Sequence, residues 1–261
     1  MRKLLLAFQF LTIIPVKEVR DVSGQEMGST SALFPVVGFS EGIILSLSAT
    51  LLLKVVPAEP TNALIVLFLV ILNGGLHLDG LADTFDALAS RGDSEKKRAI
   101  MKDSTVGPMG VISIVMALLL KYVLLNAVFI HSSLPLYLTT VLLMPVMSRW
   151  AMVPAAYYSK PAGGEGLGRT FIEHTGKKEL VKATIIAIVF VALVCALGFR
   201  ISLFMFYAMF SMPLLYAFSF GAVWFFQRHF DGMTGDSFGA VHELATLMFL
   251  MMIVINNTNL R

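Results

Sequence analysis

A chain of 261 residues, 57% hydrophobic and only 14% charged, is too apolar for a water-soluble domain, in which about 25% of residues carry charge. Its net charge of +3 gives no sign of a nucleic-acid partner, because basic residues in such a chain chiefly record membrane orientation. One cysteine, Cys195, excludes an intrachain disulfide framework and a cysteine metal site.

The first element is Met1-Arg2-Lys3 with the apolar stretch Leu4 to Val16. It has the charge pattern of a secretion signal but no small-residue cleavage site, and Gln9, Thr12 and Pro15 interrupt it. A retained interfacial or re-entrant helix is expected. Seven membrane spans follow, at about Leu33–Val56, Thr61–Leu76, Gly107–Ile130, Leu134–Tyr157, Leu180–Phe199, Ser202–Phe226 and Val241–Ile255. The second is short if it stops at Leu76. It is expected to run on as a helix into the polar segment that follows, or to tilt among its neighbours. The fold class is all-α: a polytopic membrane helical bundle forming one integral membrane domain, residues 1–261.

The connections alternate between minimal ones (Pro57–Pro60, His131–Ser133, Arg200–Ile201) and long polar ones (His77–Val106, Ser159–Glu179, Gln227–Ala240). Lys and Arg follow the long ones. Arg2, Lys3, Lys17 and Arg20 lie in the N-terminal arm, Arg91, Lys96, Lys97, Arg98 and Lys102 in the first long loop, and Lys160, Arg169, Lys177 and Lys178 in the second. The third holds Arg228, and the opposite side has little beyond Lys54, Arg200 and Arg261. The positive-inside rule then puts the N-terminus and the long loops in the cytoplasm, and an odd number of spans leaves the C-terminus outside. Lys96, Lys97 and Arg98 are expected to face lipid headgroups.

The chemistry gathers at that cytoplasmic side. Gly74-Gly75-Leu76-His77-Leu78-Asp79-Gly80-Leu81-Ala82-Asp83-Thr84-Phe85-Asp86 follows the apolar run Ala63 to Leu72 directly. Ionisable groups at the end of a membrane-length segment are functional suspects. In a helix Asp79, Asp83 and Asp86 fall at i, i+4 and i+7, on one face. Such a face repels itself unless a cation neutralises it, and Mg²⁺ suits it, because Mg²⁺ takes oxygen ligands and shares them with substrate phosphate. His77 beside them reads as an orienting hydrogen-bond partner rather than a ligand. A second cluster, Arg98 to Gly110, sets cations, Asp103 and hydroxyls before a glycine-rich helix start, whose free N–H groups and dipole suit phosphate. A third, Gly163-Gly164-Glu165-Gly166-Leu167-Gly168-Arg169-Thr170-Phe171, lets backbone approach a ligand closely. A fourth, Asp231 to Glu243, is an acidic turn containing Thr234 and Asp236. Arg149 sits about two turns inside the fourth span on the same side. Glu41 and Lys121 lie within spans and match no cluster.

Gly74–Thr84, Met101–Gly107, Gly166–Gly168 and Thr234–Ala240, with the opening Leu5–Pro15, resemble the cobalamin synthase family of adenosylcobinamide-GDP ribazoletransferases, nearly end to end and in order. The resemblance implies that adenosylcobinamide-GDP and α-ribazole, or α-ribazole 5'-phosphate, are joined to give adenosylcobalamin, or its phosphate, and GMP, with Mg²⁺ as cofactor. It implies that Asp79 and Asp83 hold the metal and Asp236 completes the site or holds a second metal. His77 or Asp86 takes the alcohol proton, and Lys102, Arg149 and Arg169 grip phosphate. Asp103, Gly166, Gly168 and Thr234, in the matching clusters, are read as substrate-binding. The partners expected are the two substrates and membrane lipid, with a homo-oligomer or association with other cobalamin-assembly enzymes left open. The location expected is the cytoplasmic (inner) membrane. Two other readings stand beside this one. A CDP-alcohol phosphotransferase also carries paired aspartates at helix ends, but its Asp-Gly-x-x-Ala-Arg pattern is incomplete here. A cation-coupled transporter would use the carboxylates as ion ligands, yet they lie at one edge rather than the midplane.

Overall fold

The computed structural model describes residues 1–103, 105–197 and 201–258. Arg200 and Arg261, counted above on the outer side, lie outside them. Among the described residues the chain is helical, with no strand beyond an isolated bridge between Pro161 and Met233. α1 (Arg2–Leu11) buries Leu6, Ala7 and Leu11 and leaves its basic start exposed, the amphipathic pattern of a helix lying on an interface. α2 (Gly24–Ser29), capped by the Ser23 hydroxyl on the Glu26 N–H, passes through a short 3-10 turn into α3 (Phe34–Leu52). Then follow α4 (Ala58–Leu72), α5 (Leu76–Ala89), α6 (Ser94–Ile100), α7 (Pro108–His131), α8 (Leu134–Tyr158), α9 (Leu167–His174), α10 (Lys177–Leu197), α11 (Ile201–Phe230) and α12 (Gly235–Thr258).

Five described helical segments are long and apolar enough to cross a membrane: Gly24–Leu52, Pro108–His131, Leu134–Tyr158, Phe210–Phe230 and Gly235–Asn256. The expected span Leu180–Phe199 falls on α10, and residues 198–200 are outside the described residues. The expected second span does not run straight into the acidic segment. α4 and α5 meet at 88°, and counted as one broken span they make a sixth. The break has a local cause. Gly74 and Gly75 adopt φ of +59° and +75°, which L side chains rarely adopt. The Gly75 N–H bonds back to the Val70 carbonyl and the Gly74 N–H to that of Ile71, the hydrogen-bond pair that ends a helix with a left-handed residue.

α8 is the hub, packed against α3, α10, α11 and α12 and buried almost throughout its second half. α3 reaches it through Gly38 and Gly42, four residues apart. A Cβ there would stand 2.4 Å from the Pro145 carbonyl oxygen and 2.0 Å from that of Leu142. Small residues at this spacing let membrane helices touch backbone to backbone.

The two intramembrane charges that matched no cluster each find an opposite charge on another helix. Glu41 of α3 accepts from Arg149 of α8, with Nε to Oε2 at 2.7 Å. Lys121 of α7 pairs with Glu243 of α12. At the far end of the bundle, Tyr137 donates to Asn62 (2.6 Å) and Asn62 to Asn126 (2.9 Å), tying α8, α4 and α7. Buried polar groups in an apolar medium need such partners, and here they fix helix register.

Candidate active site

The site begins at the crossing of α5 and α12. A Cβ on Gly80 would meet the backbone of Asp236, 2.6 Å from its carbonyl oxygen. One on Gly239 would meet the His77 carbonyl oxygen at 2.9 Å. Two glycines, one per helix, therefore let the helices cross in contact, and Asp236 comes to lie beside the Asp79–Asp83 turn. The start of α12 is held by a reciprocal pair: the Thr234 N–H donates to the Ser237 hydroxyl (3.1 Å), and the Ser237 N–H to the Thr234 hydroxyl (3.3 Å).

The result is an acidic edge. Asp79 is exposed and Asp83 half-buried. The Asp83 carboxylate is within electrostatic reach of Asp79, Asp236 and Asp86, and that of Asp236 within reach of Asp79. Among the described residues no three His, Cys, Asp or Glu side chains gather into a ready-made metal shell. Mg²⁺ does not require one, because it commonly takes one or two carboxylates and completes its shell with water and substrate phosphate. A mutually repelling set of hard oxygen donors fits such an ion.

Beside this edge opens a cavity of about 720 Å³. α1, α5, α6, the Ala162–Gly166 loop, α9 and the start of α12 all contribute to its wall. His77, Lys102, Gly166, Gly168, Arg169, Thr234 and Asp236 all line it. Gly168 also packs on the backbone of Gly235, where a Cβ would lie 2.3 Å from the Gly235 nitrogen. Arg169 is partly occupied, by Glu173 at 2.7 Å and the Gly164 carbonyl at 3.3 Å. His77 is 2% exposed, and neither ring nitrogen has a hydrogen-bond partner among the described residues. Its ring stacks on His242 at 3.8 Å, and the His242 Nε2 lies 3.1 Å from the Ser148 hydroxyl.

Three residues expected to act on substrate are engaged otherwise. Arg149 is 0% exposed and held by Glu41, the Asn73 side chain (2.6 Å) and the Leu11 carbonyl (3.0 Å). It does not line the cavity, so it joins α8 to α3, α4 and α1 rather than gripping phosphate. Asp86 accepts from the N–H groups of Gly107 (2.6 Å) and Gly110 (2.8 Å). It caps α7 and fills the glycine-rich helix start that the sequence offered to a phosphate; its proton-accepting oxygens are committed there. Asp103 accepts from the Thr105 hydroxyl and N–H, which hold its carboxyl below the usual range. It is exposed and outside the cavity wall.

Arg98, expected among headgroup-facing cations, instead lines the cavity and bonds the Phe230 carbonyl (2.8 Å) and Asp231 (2.9 Å). The Ser94 hydroxyl and then Arg98 keep the Asp231 carboxyl below its ordinary range. The sequence reading also missed the aromatic side chains of the cavity, Phe10, Phe34, Phe171 and Phe238. Phe10, Phe171 and Phe238 stand inside motifs already noted, where glycines and charges carried the reading, and Phe34 sits among apolar residues that nothing local distinguishes.

A family model described as cobalamin-5-phosphate synthase matches residues 3–254. The chain belongs to that family. A relative from Clostridium acetobutylicum, named adenosylcobinamide-GDP ribazoletransferase, is 35% identical over 96% of this chain and 94% of its own length. Relatives of the same name from Geotalea daltonii and Thermoanaerobacter pseudethanolicus are each 35% identical over 97% of both chains. No solved structure matches. The family match spans every element that lines the cavity, from Phe10 to Gly239, so membership concerns the whole site. It favours a cobalamin-assembly enzyme over a phospholipid synthase or a cation-coupled transporter.

The helix crossing gives a direct test of the site's assembly. Gly80→Ala drives a methyl group into the Asp236 backbone and parts α5 from α12. We expect turnover to fall by roughly a hundredfold, as for a 1 Å misplacement of reacting groups, while the protein still inserts and purifies. Wild-type turnover of Gly80→Ala would show that the close crossing is unnecessary.

Proposed function

We propose that the chain transfers the cobinamide phosphoryl group of adenosylcobinamide-GDP to a ribose hydroxyl of α-ribazole or α-ribazole 5'-phosphate. The products are GMP and adenosylcobalamin or its 5'-phosphate, at the nucleotide-loop assembly step late in cobalamin biosynthesis. Family membership and the name shared by the relatives support the reaction. The observation that carries the reading on this chain is the junction of an acidic edge with a large cavity at the α5–α12 crossing.

The chemistry balances simply. The hydroxyl oxygen forms a bond to the cobinamide phosphorus. The bond from that phosphorus to the bridging oxygen breaks, and GMP leaves with its electron pair. One proton leaves the hydroxyl. Asp79, Asp83 and Asp236 would hold Mg²⁺, which when bound neutralises charge building on the diphosphate. His77 is proposed as the proton acceptor, being buried at the cavity wall with its ring nitrogens unpartnered. Lys102 and Arg169 at the rim draw in phosphate oxygens. The apolar part of the cavity wall would limit the water that could otherwise hydrolyse the diphosphate.

Mixing adenosylcobinamide-GDP with α-ribazole, and separately with α-ribazole 5'-phosphate, over proteoliposomes containing the purified protein and Mg²⁺ tests this. GMP release that needs both substrates is the expected result. No release with either acceptor, or transfer from a CDP-activated lipid instead, overturns it.

The location proposed is the cytoplasmic membrane, with the N-terminus and the three long loops in the cytoplasm. Single cysteines at Ser94 and Lys177, with Cys195 removed, check the orientation. We expect neither to react with an impermeant reagent applied to intact cells, and labelling of either reverses the topology.

A further inference from the structure

The cavity has two chemically different parts. Its floor is apolar and aromatic: Phe34, Phe171, Phe238 and Met152 are buried there, with Phe10 beside them. Phe171 lies between Phe10, ring centroids 4.9 Å apart, and Phe34 at 5.3 Å. The rim is charged and exposed, with Lys102 and Arg169 among its residues.

Both proposed substrates carry an aromatic base. Guanine has hydrogen-bond donors and acceptors along its edge, and these would go unpaired against side chains that offer none. The corrinoid is a wide macrocycle fringed with polar amides and fits a hydrocarbon floor no better. The base of ribazole is a benzimidazole whose outer edge is two methyl groups, so its buried face and edge need only apolar contact. Ring faces against Phe side chains add stacking of the kind bases make with aromatic residues.

We propose that the aromatic floor is the binding site for the dimethylbenzimidazole base of the acceptor, with the guanine of the donor outside it. This rests on the ribazoletransferase reading. A second, independent feature points to the same occupant. His77 lines the same cavity, is 2% exposed, and has both ring nitrogens unpartnered among the described residues. Those nitrogens are closed off from the cavity in this structure, so a hydrogen bond to the acceptor's ribose hydroxyls, one glycosidic bond from the base, requires the His77 ring to turn out of its stack on His242. Asp236 lines the cavity too, so an acceptor seated on the floor has its sugar at the acidic edge where the diphosphate must lie.

Ala156, buried on α8, forms part of the lining and offers a size test. Ala156→Val narrows the floor by two methyl groups. Steady-state GMP release by the full-length protein in proteoliposomes is measured with the ribosides of 5,6-dimethylbenzimidazole and of unsubstituted benzimidazole. The KM for the dimethyl riboside should rise about tenfold, and that for the unsubstituted one by no more than about twofold. The KM for adenosylcobinamide-GDP should stay within about twofold. A rise confined to the donor, an equal change for the two ribosides, or no change overturns the proposal. Should Ala156→Val fail to fold, Phe10→Leu at the half-buried side of the floor serves. It should raise the KM for both ribosides by roughly tenfold through lost stacking and leave that for the donor unchanged, and any other pattern counts against the assignment. If the wild-type protein releases no GMP with either riboside or with their 5'-phosphates, the ribazoletransferase reading itself has failed. Wild-type release with the wrong variant pattern removes only the placement of the base.

Discussion

Asp79→Asn leaves membrane insertion and yield unchanged and lowers turnover by about a hundred- to a thousandfold, the range for losing one preorganised electrostatic contact to a reacting group. Asn keeps the size and one oxygen of the carboxylate but not the charge that binds a hard cation. Asp79 is exposed on the first turn of α5, with no packing role to lose, so a fall in activity cannot be assigned to a damaged core. The acidic edge also predicts a specific accompaniment. Removing one of several mutually repelling carboxylates relieves repulsion, so Asp79→Asn is at least as resistant to thermal unfolding as the parent when no metal is added. The measurements are GMP release across a Mg²⁺ titration and thermal unfolding in detergent. Near-normal turnover at saturating Mg²⁺ would remove Asp79 from the metal site.

Arg149→Met and Glu41→Leu, taken singly, each lower stability by about 3–5 kcal/mol, because each leaves an uncompensated charge in the bundle core. The pair is 0% exposed on both sides, and Arg149 further anchors the Leu11 carbonyl and Asn73. The double variant Glu41→Leu/Arg149→Met therefore recovers most, but not all, of the loss, since those two acceptors stay unpaired. Thermal unfolding of the four proteins in detergent reads the cycle. Equal Tm values for wild type and both single variants would refute the structural role. Full stability in the double variant together with a large rise in KM for adenosylcobinamide-GDP would return Arg149 to the phosphate-gripping role suggested by the sequence.

These two cases mark where sequence reasoning stops. Asp79 and Asp83 were legible as candidates because they sit beside glycines and a histidine at the end of an apolar run, where a charge needs a reason. Asp236 was legible as a candidate on the same logic. Arg149 obeyed that logic equally well and pointed to the wrong role. Its partner Glu41 lies 108 residues away, in a span where nothing local distinguishes a paired carboxylate from an isolated one. Asp86 shares a helix face with Asp79 and Asp83. Its role as the cap of α7 depends on where Gly107 and Gly110 are brought by the fold, 21 and 24 residues on.

By itself the sequence determined the class of the molecule and pointed to the end where the acidic edge and the cavity meet. Hydrophobic runs of membrane length have few alternatives to helix, because backbone groups in lipid must bond within their own segment. Charges at the ends of such runs are too expensive to keep there without use. The glycine pair Gly74-Gly75 was not read as a break, since the span was expected to run on as a helix or to tilt, and the 88° turn there came only with the backbone geometry. Only the tertiary structure decided which helices touch, and with that the cavity, its aromatic floor, the pairing of Glu41 with Arg149 and of Lys121 with Glu243, and the crossing that sets Asp236 beside Asp79. The physical reason is that apolar packing is non-directional and nearly every residue of such a bundle is apolar. A Phe that lines a ligand cavity therefore reads the same in sequence as one that meets lipid, and contact between distant helices separates them.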